Sequence, residues 1–141
     1  MSLNNIFGIA GTALNAQMVR MNATASNMAN SGTIASSEAD AFKAKRPVFE
    51  TLLNQQMTTQ GAQFVGGVRV SGMVDDNTPN QKLHDPGNPK ADKDGFVYVS
   101  NVNEVTEMVD MMGAARSYQN NVEVVNTARE LMMRTLDITK A

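Results

Sequence analysis

Apolar residues recur at alternating four- and three-residue steps in two stretches at opposite ends of the chain. Phe7, Gly11, Leu14, Met18, Met21, Ala25 and Met28 form the first row. A period near 3.5 residues predicts a helix over about residues 3–30 with a heptad seam on one side. Asn30-Ser31-Gly32-Thr33 leaves the helical region easily and should end it. The second row is Met108, Met111, Ala115, Tyr118, Val122, Val125, Met132 and Leu136, with Arg129 in one expected apolar slot. It predicts a helix over about residues 101–139. Asn101 and Glu104 form a candidate capping pair, Glu107 adds negative charge near the start, and Arg134 and Lys140 add positive charge near the end. At the usual rise this helix would be about 55 Å long, which calls for a partner along its length.

Residues 31–100 lack helical spacing. Val68, Val70 and Met73 among Gly66, Gly67 and Gly72 suggest one strand, and Phe96 to Val99 suggest another. Asp75 to Asn80 and His84 to Pro89 carry loop chemistry. Phe42 to Leu53 is open to two readings. Pro47 could start a helix, or the run could be an edge strand, and extended structure is favoured. The fold class expected is mainly α: long N- and C-terminal helices paired as a coiled-coil-like core, with a small irregular β/loop middle segment. Three segments follow, 1–32, 33–100 and 101–141.

Charge distribution sharpens that picture. Charged residues make up 18% of the 141, below the roughly 25% of ordinary soluble domains. From Met1 to Ser37 the only charged side chain is Arg20. A surface helix normally solvates one face with charge, so the first helix looks built to be covered on several sides. Uncharged Asn4, Asn5, Asn15, Asn22, Asn27 and Asn30 can hydrogen-bond between close-packed helices without the desolvation cost of full charges. Small residues at Ala13, Ala16, Ala23 and Ala29 would let neighbours approach closely. A single antiparallel hairpin is one fate for such rows. The paucity of large side chains in the first row favours several neighbours instead, with ends that order on joining an assembly.

A net charge of −2 without a basic run argues against nucleic acid. No apolar run approaches the roughly 20 residues of a spanning helix, so membrane insertion is not expected. The N-terminus lacks the basic and apolar regions of a cleavable secretory signal. The chain has no cysteine, hence no disulfide or thiolate site.

Candidate catalysis centres on His84 with Asp85, Asp92 and Asp94. A histidine beside carboxylates could be a general base or metal ligand. No serine, cysteine or second histidine completes a constellation, and Pro86 and Pro89 point to a solvated loop. Asp92-Lys93-Asp94-Gly95 has the middle of a calcium loop, but that register puts Lys90 at the first ligand position, so a tight turn is the better reading. Gly66-Gly67 lacks the lysine and hydroxyl of a phosphate loop. No catalytic residue, cofactor or metal is assigned.

Leu14-Asn15-Ala16-Gln17, Arg20, Asn22 and Ala25-Ser26-Asn27-Met28-Ala29-Asn30 resemble the N-terminal signature of the flagellar rod and hook proteins. Asn101-Val102-Asn103, Glu107-Met108-Val109-Asp110 and Ala115 to Asn121 resemble their C-terminal signature. Asp85-Pro86-Gly87-Asn88-Pro89, Ala91-Asp92 and Gly95-Phe96-Val97 look like the proximal-rod branch, with His84 and Phe96 where tyrosines are common. The resemblance implies a non-enzymatic subunit of the axial shaft in the basal body, between the inner-membrane ring and the distal rod. It implies partners among copies of itself, other rod proteins, the ring or its adaptor, and the flagellar type III export apparatus, which exports such proteins without a cleaved signal. The interface residues expected are Phe7, Leu14, Met18, Met21, Met28, Met108, Met111, Tyr118, Val122, Val125, Met132 and Leu136.

Overall fold

A computed structural model describes residues 3–52 and 66–140. Leu53, which closes the run of two readings, lies outside the described residues, as do the side chains of Asn4 and Lys140. The two long helices are present: α1 spans Leu3–Ala29 and α2 spans Glu104–Lys140. After Ala29, Asn30 and Ser31 donate backbone N–H groups to the carbonyls of Asn27 and Met28, so the polar run stops α1 as expected.

The middle is more regular than its composition suggests. It holds β1 (Ile34–Ala35), β2 (Lys45–Thr51), β3 (Val68–Asp75), β4 (Gln81–His84) and β5 (Phe96–Val99). β2 and β3 pair antiparallel as a two-stranded ribbon, with a register shift between Val48 and Phe49. β1, β5 and β4 form a second antiparallel sheet in that order. The run containing Pro47 is therefore extended, and Pro47 sits opposite Met73.

Two corrections to the expected fold class follow. With two antiparallel sheets beside two helices, the chain is not a mainly α molecule with an irregular middle. β4 went unforeseen because alternation within its four residues is short and its last residue, His84, enters a proline loop. The helix pair also departs from the coiled-coil seam. The α1 and α2 residues nearly sealed from solvent are Ala10, Ala16, Ala23, Thr24, Asn27, Glu107, Ala114 and Ala128. Ala10, Thr24 and Asn27, like Glu107, Ala114 and Ala128, fall one position before members of the expected rows or their heptad continuation. One position is a rotation of about 100°. Small side chains sit where the helices come closest, because close approach excludes bulk from the contact line. The methionines and leucines are pushed to its flanks.

The helices run antiparallel. Ile6 lines one cleft with Val124 and Leu131, Arg20 pairs with Asp110, and Asn27 meets Glu107. Ala16 and Ala23 continue the helical spacing of Ile9 and Thr12, which meet the base of the ribbon. The Thr12 hydroxyl donates to the Ile9 carbonyl and accepts from the Val68 N–H at 3.2 Å. Gly67, at φ +144°, brings its Cα so close that a Cβ would stand 3.1 Å from the Thr12 hydroxyl.

Asp92-Lys93-Asp94-Gly95 is the tight turn expected. The Asp92 carboxylate accepts N–H bonds from Asp94 and Phe96, and Gly95 closes the turn at φ +79°. A Cβ at Gly95 would lie 3.1 Å from Pro86 Cβ and 3.3 Å from His84 Nε2. Gly95→Ala should therefore cost at least about 1–2 kcal/mol, the strain of a left-handed backbone on an L-residue plus that crowding. A lowered thermal unfolding midpoint checks it; an unchanged midpoint counts against this geometry.

Candidate functional site: the polar junction and the helix faces

α2 begins with a cap from Asn103, whose side-chain oxygen accepts the Thr106 N–H at 3.1 Å. The expected Asn101–Glu104 pair does not form the cap. Asn101 instead ties loops together: its oxygen accepts the Ala44 N–H, and its amide donates to the carbonyls of Asp76 and Thr78. Glu104 accepts a 2.5 Å bond from the Ser31 hydroxyl, joining the end of α1 to the start of α2.

One turn into α2, Glu107 is fully buried. Its Oε2 accepts from the amide of Asn27, also fully buried, at 3.0 Å. The same Asn27 amide donates to the Lys45 carbonyl, and its oxygen accepts the Lys45 N–H at 2.8 Å. Asn27 thus pairs with the β2 backbone as another strand would, while reaching Glu107. On the far side, Arg46 Nη1 lies 2.7 Å from Glu107 Oε1. That contact is an ion pair without the alignment of a directed hydrogen bond. Arg46 also approaches Asp110 at 3.7 Å and Asp76 at 3.5 Å, and Arg20 holds Asp110 at 3.0 Å. Both helices, β2 and the turn after β3 therefore meet in one charged cluster. Lys45 pairs with Asp75 across the ribbon beside it.

His84 makes no such constellation. It packs edge-on against Phe96 at 4.9 Å, and Lys82 stands over the Phe96 ring at 4.1 Å. Among the described residues, no group of three or more His, Cys, Asp or Glu could hold a metal ion.

Of the expected interface residues, Phe7, Leu14, Met21, Met28, Met111, Tyr118, Val122, Val125 and Met132 are half-buried in the single chain. Met18, Met108 and Leu136 are exposed at 45%, 51% and 50%. The structure adds apolar neighbours that the heptad reading passed over. Val105, Val109 and Met112 surround Met108 at helical spacing, and all three are exposed. Sequence reasoning also missed the junction. It treated Asn27 as one asparagine among several and Glu107 as a helix-end charge, since nothing local marks two residues 80 positions apart as partners.

Residues 93–138 match the family described as the C-terminal region of the flagellar basal body rod FlgEFG proteins, and relatives alike over nearly the full length place the chain among the rod proteins of the bacterial flagellum. The basal-body rod protein FlgC of Yersinia enterocolitica is 46% identical over 98% of each chain. That of Salmonella typhimurium is 42% identical over 98% of each, and that of Bacillus subtilis is 32% identical over 94% of this chain and 95% of its own. The chain belongs to the FlgC family: it is a structural subunit of the flagellar basal-body rod. No helix among the described residues is long and apolar enough to cross a membrane.

Two predictions come from the junction. Asn27→Ala should cost about 1–3 kcal/mol, because the Lys45 N–H and the Glu107 carboxylate lose a buried partner. Chemical denaturation of the purified chain measures it, and a cost near zero would show that water replaces the amide. The second concerns acid. The Thr78 hydroxyl and backbone N–H, with Arg46 behind them, hold the Asp76 carboxyl below its usual range. A depressed folded pKa contributes stability that is present above the unfolded pKa, near 4, and lost as pH falls through the folded value. Asp76→Asn should flatten the acid limb of the stability curve; an acid limb as steep as the wild type's would exclude this contribution.

Proposed function

We propose that this subunit belongs to the proximal part of the rod, has no enzymatic activity, and polymerises through the outer faces of α1 and α2. Its neighbours are copies of itself and other rod proteins, with the inner-membrane ring or its adaptor at one end and the distal rod at the other. The helices enclose the export channel, the sheets pack outward, and the shaft carries torque. The chain reaches the periplasm through the flagellar type III apparatus.

One observation carries the interface reading. In the single chain the contact line is filled by alanine, threonine, asparagine and glutamate, while methionine, valine and leucine remain uncovered beside it. Contiguous exposed apolar surface of this kind marks a binding face. Interlocked helices with many lateral contacts suit a stiff shaft, since close-packed interiors transmit strain. The small contact line buries little apolar area, which supports helices that tighten on assembly.

Leu14→Asp and Val122→Asp should abolish incorporation into basal bodies and swimming. Met108→Asp is the sharper variant, because that side chain is already exposed and the monomer should keep its helix content. Counting the subunit in isolated basal bodies, with circular dichroism on the purified chain, separates lost assembly from lost folding. Normal swimming by all three variants would remove the case for this interface.

A further inference from the structure

We propose that the Arg46–Glu107 pair is a positioning latch: it fixes the angle at which the β2–β3 ribbon leaves the helix pair, and it serves assembly geometry, not cohesion. The inference rests on the polymerisation reading above and adds a named determinant to it.

The ribbon touches α1 along its length, through Thr12 at one end and Asn27 at the other. Against α2 the situation differs, since among the described residues no strand backbone packs close to that helix. Arg46 spans the gap from β2, reaching Glu107 at 2.7 Å and Asp110 at 3.7 Å. Asn101, ahead of α2, ties down only the loops at the ribbon's base, at Ala44, Asp76 and Thr78, and leaves the strands held by α1. Arg46 adds an attachment from β2 itself to the body of α2.

The energetics point away from cohesion. Burying a carboxylate is costly, and apolar pairs of similar size often replace buried ion pairs with no loss of stability. Here the carboxylate is fully buried while Arg46 remains 37% exposed, and Glu107 Oε1 lacks an aligned hydrogen bond. Such a pair is a poor source of stability. What the charges supply that a methionine pair does not is a choice of partners: Glu107, Asp110 and Asp76 surround one guanidinium and define its place from three sides. In a helical assembly a small error in ribbon angle is repeated at every subunit, so a contact with fixed partners at this point affects incorporation more than folding.

The test uses the full chain carrying Arg46→Met together with Glu107→Met. The absence of native cysteine allows clean spin labels at Ser71→Cys on β3 and Gln119→Cys on α2, both exposed positions. The expected result has three parts. The doubly substituted protein keeps its helix content and an unfolding midpoint at or above that of the wild type. Its distance distribution between the labels broadens, and its count in basal bodies falls several-fold in a strain lacking its own copy. An unchanged distance distribution overturns the latch, as does wild-type incorporation. Loss of folding also overturns it, by showing that the pair is cohesive. Should the wild-type chain itself fail to enter rods, the polymerisation reading falls, and the distance measurement on the purified chain still decides the latch.

Discussion

A carboxylate sealed from water between an asparagine amide and a guanidinium is the constraint around which this subunit is arranged. Glu107 cannot occupy that position unless Asn27 and Arg46 are both in place, because an unpaired buried charge costs several kcal/mol. Asn27 in turn is positioned by the β2 backbone, whose Lys45 N–H and C=O it satisfies together. Four parts of the chain far apart in sequence therefore meet at this one joint: the end of α1, the start of β2, the turn after β3 and the first turns of α2. The sheet and helix modules are consequently one unit.

The same constraint explains why the helix pair is polar and small at its contact line. A buried Asn–Glu bond at 3.0 Å requires the two backbones to approach closely at that point. Alanines at 10, 114 and 128 continue the close approach along the seam. Large apolar side chains cannot enter such a line and are displaced sideways, where they remain partly in water. One feature, close approach, thus creates both the internal joint and the external apolar faces.

This also accounts for what was and was not legible in the residues. Both terminal helices were visible from periodicity, because a 3.5-residue repeat survives whichever side of the helix it marks. The line of contact within the chain lies one residue away from the apolar rows. Apolar scoring weights methionine and leucine, whereas the internal contact chose alanine, threonine and asparagine beside them. The tight turn at Asp92–Gly95 was legible because its chemistry is local. β4 and the Asn27–Glu107–Arg46 cluster were not, since each depends on partners supplied by another part of the chain.

The family resemblance reached further than periodicity. Residues that it singled out as signature, Arg20, Asn27, Glu107 and Asp110 among them, are the ones that the structure brings into a single ionic and amide network. In a chain of this length such residues need not all contact a partner subunit to matter for assembly. A subunit that repeats along a helical shaft must present the same shape each time. Charged groups buried at an internal joint can hold that shape more narrowly than apolar packing, at some expense of stability. In the proposed assembly the apolar faces supply adhesion, and the joint supplies the angle at which adhesion happens. On that proposal the two roles account for a costly buried carboxylate in a chain that leaves Met18, Met108, Met112 and Met133 exposed.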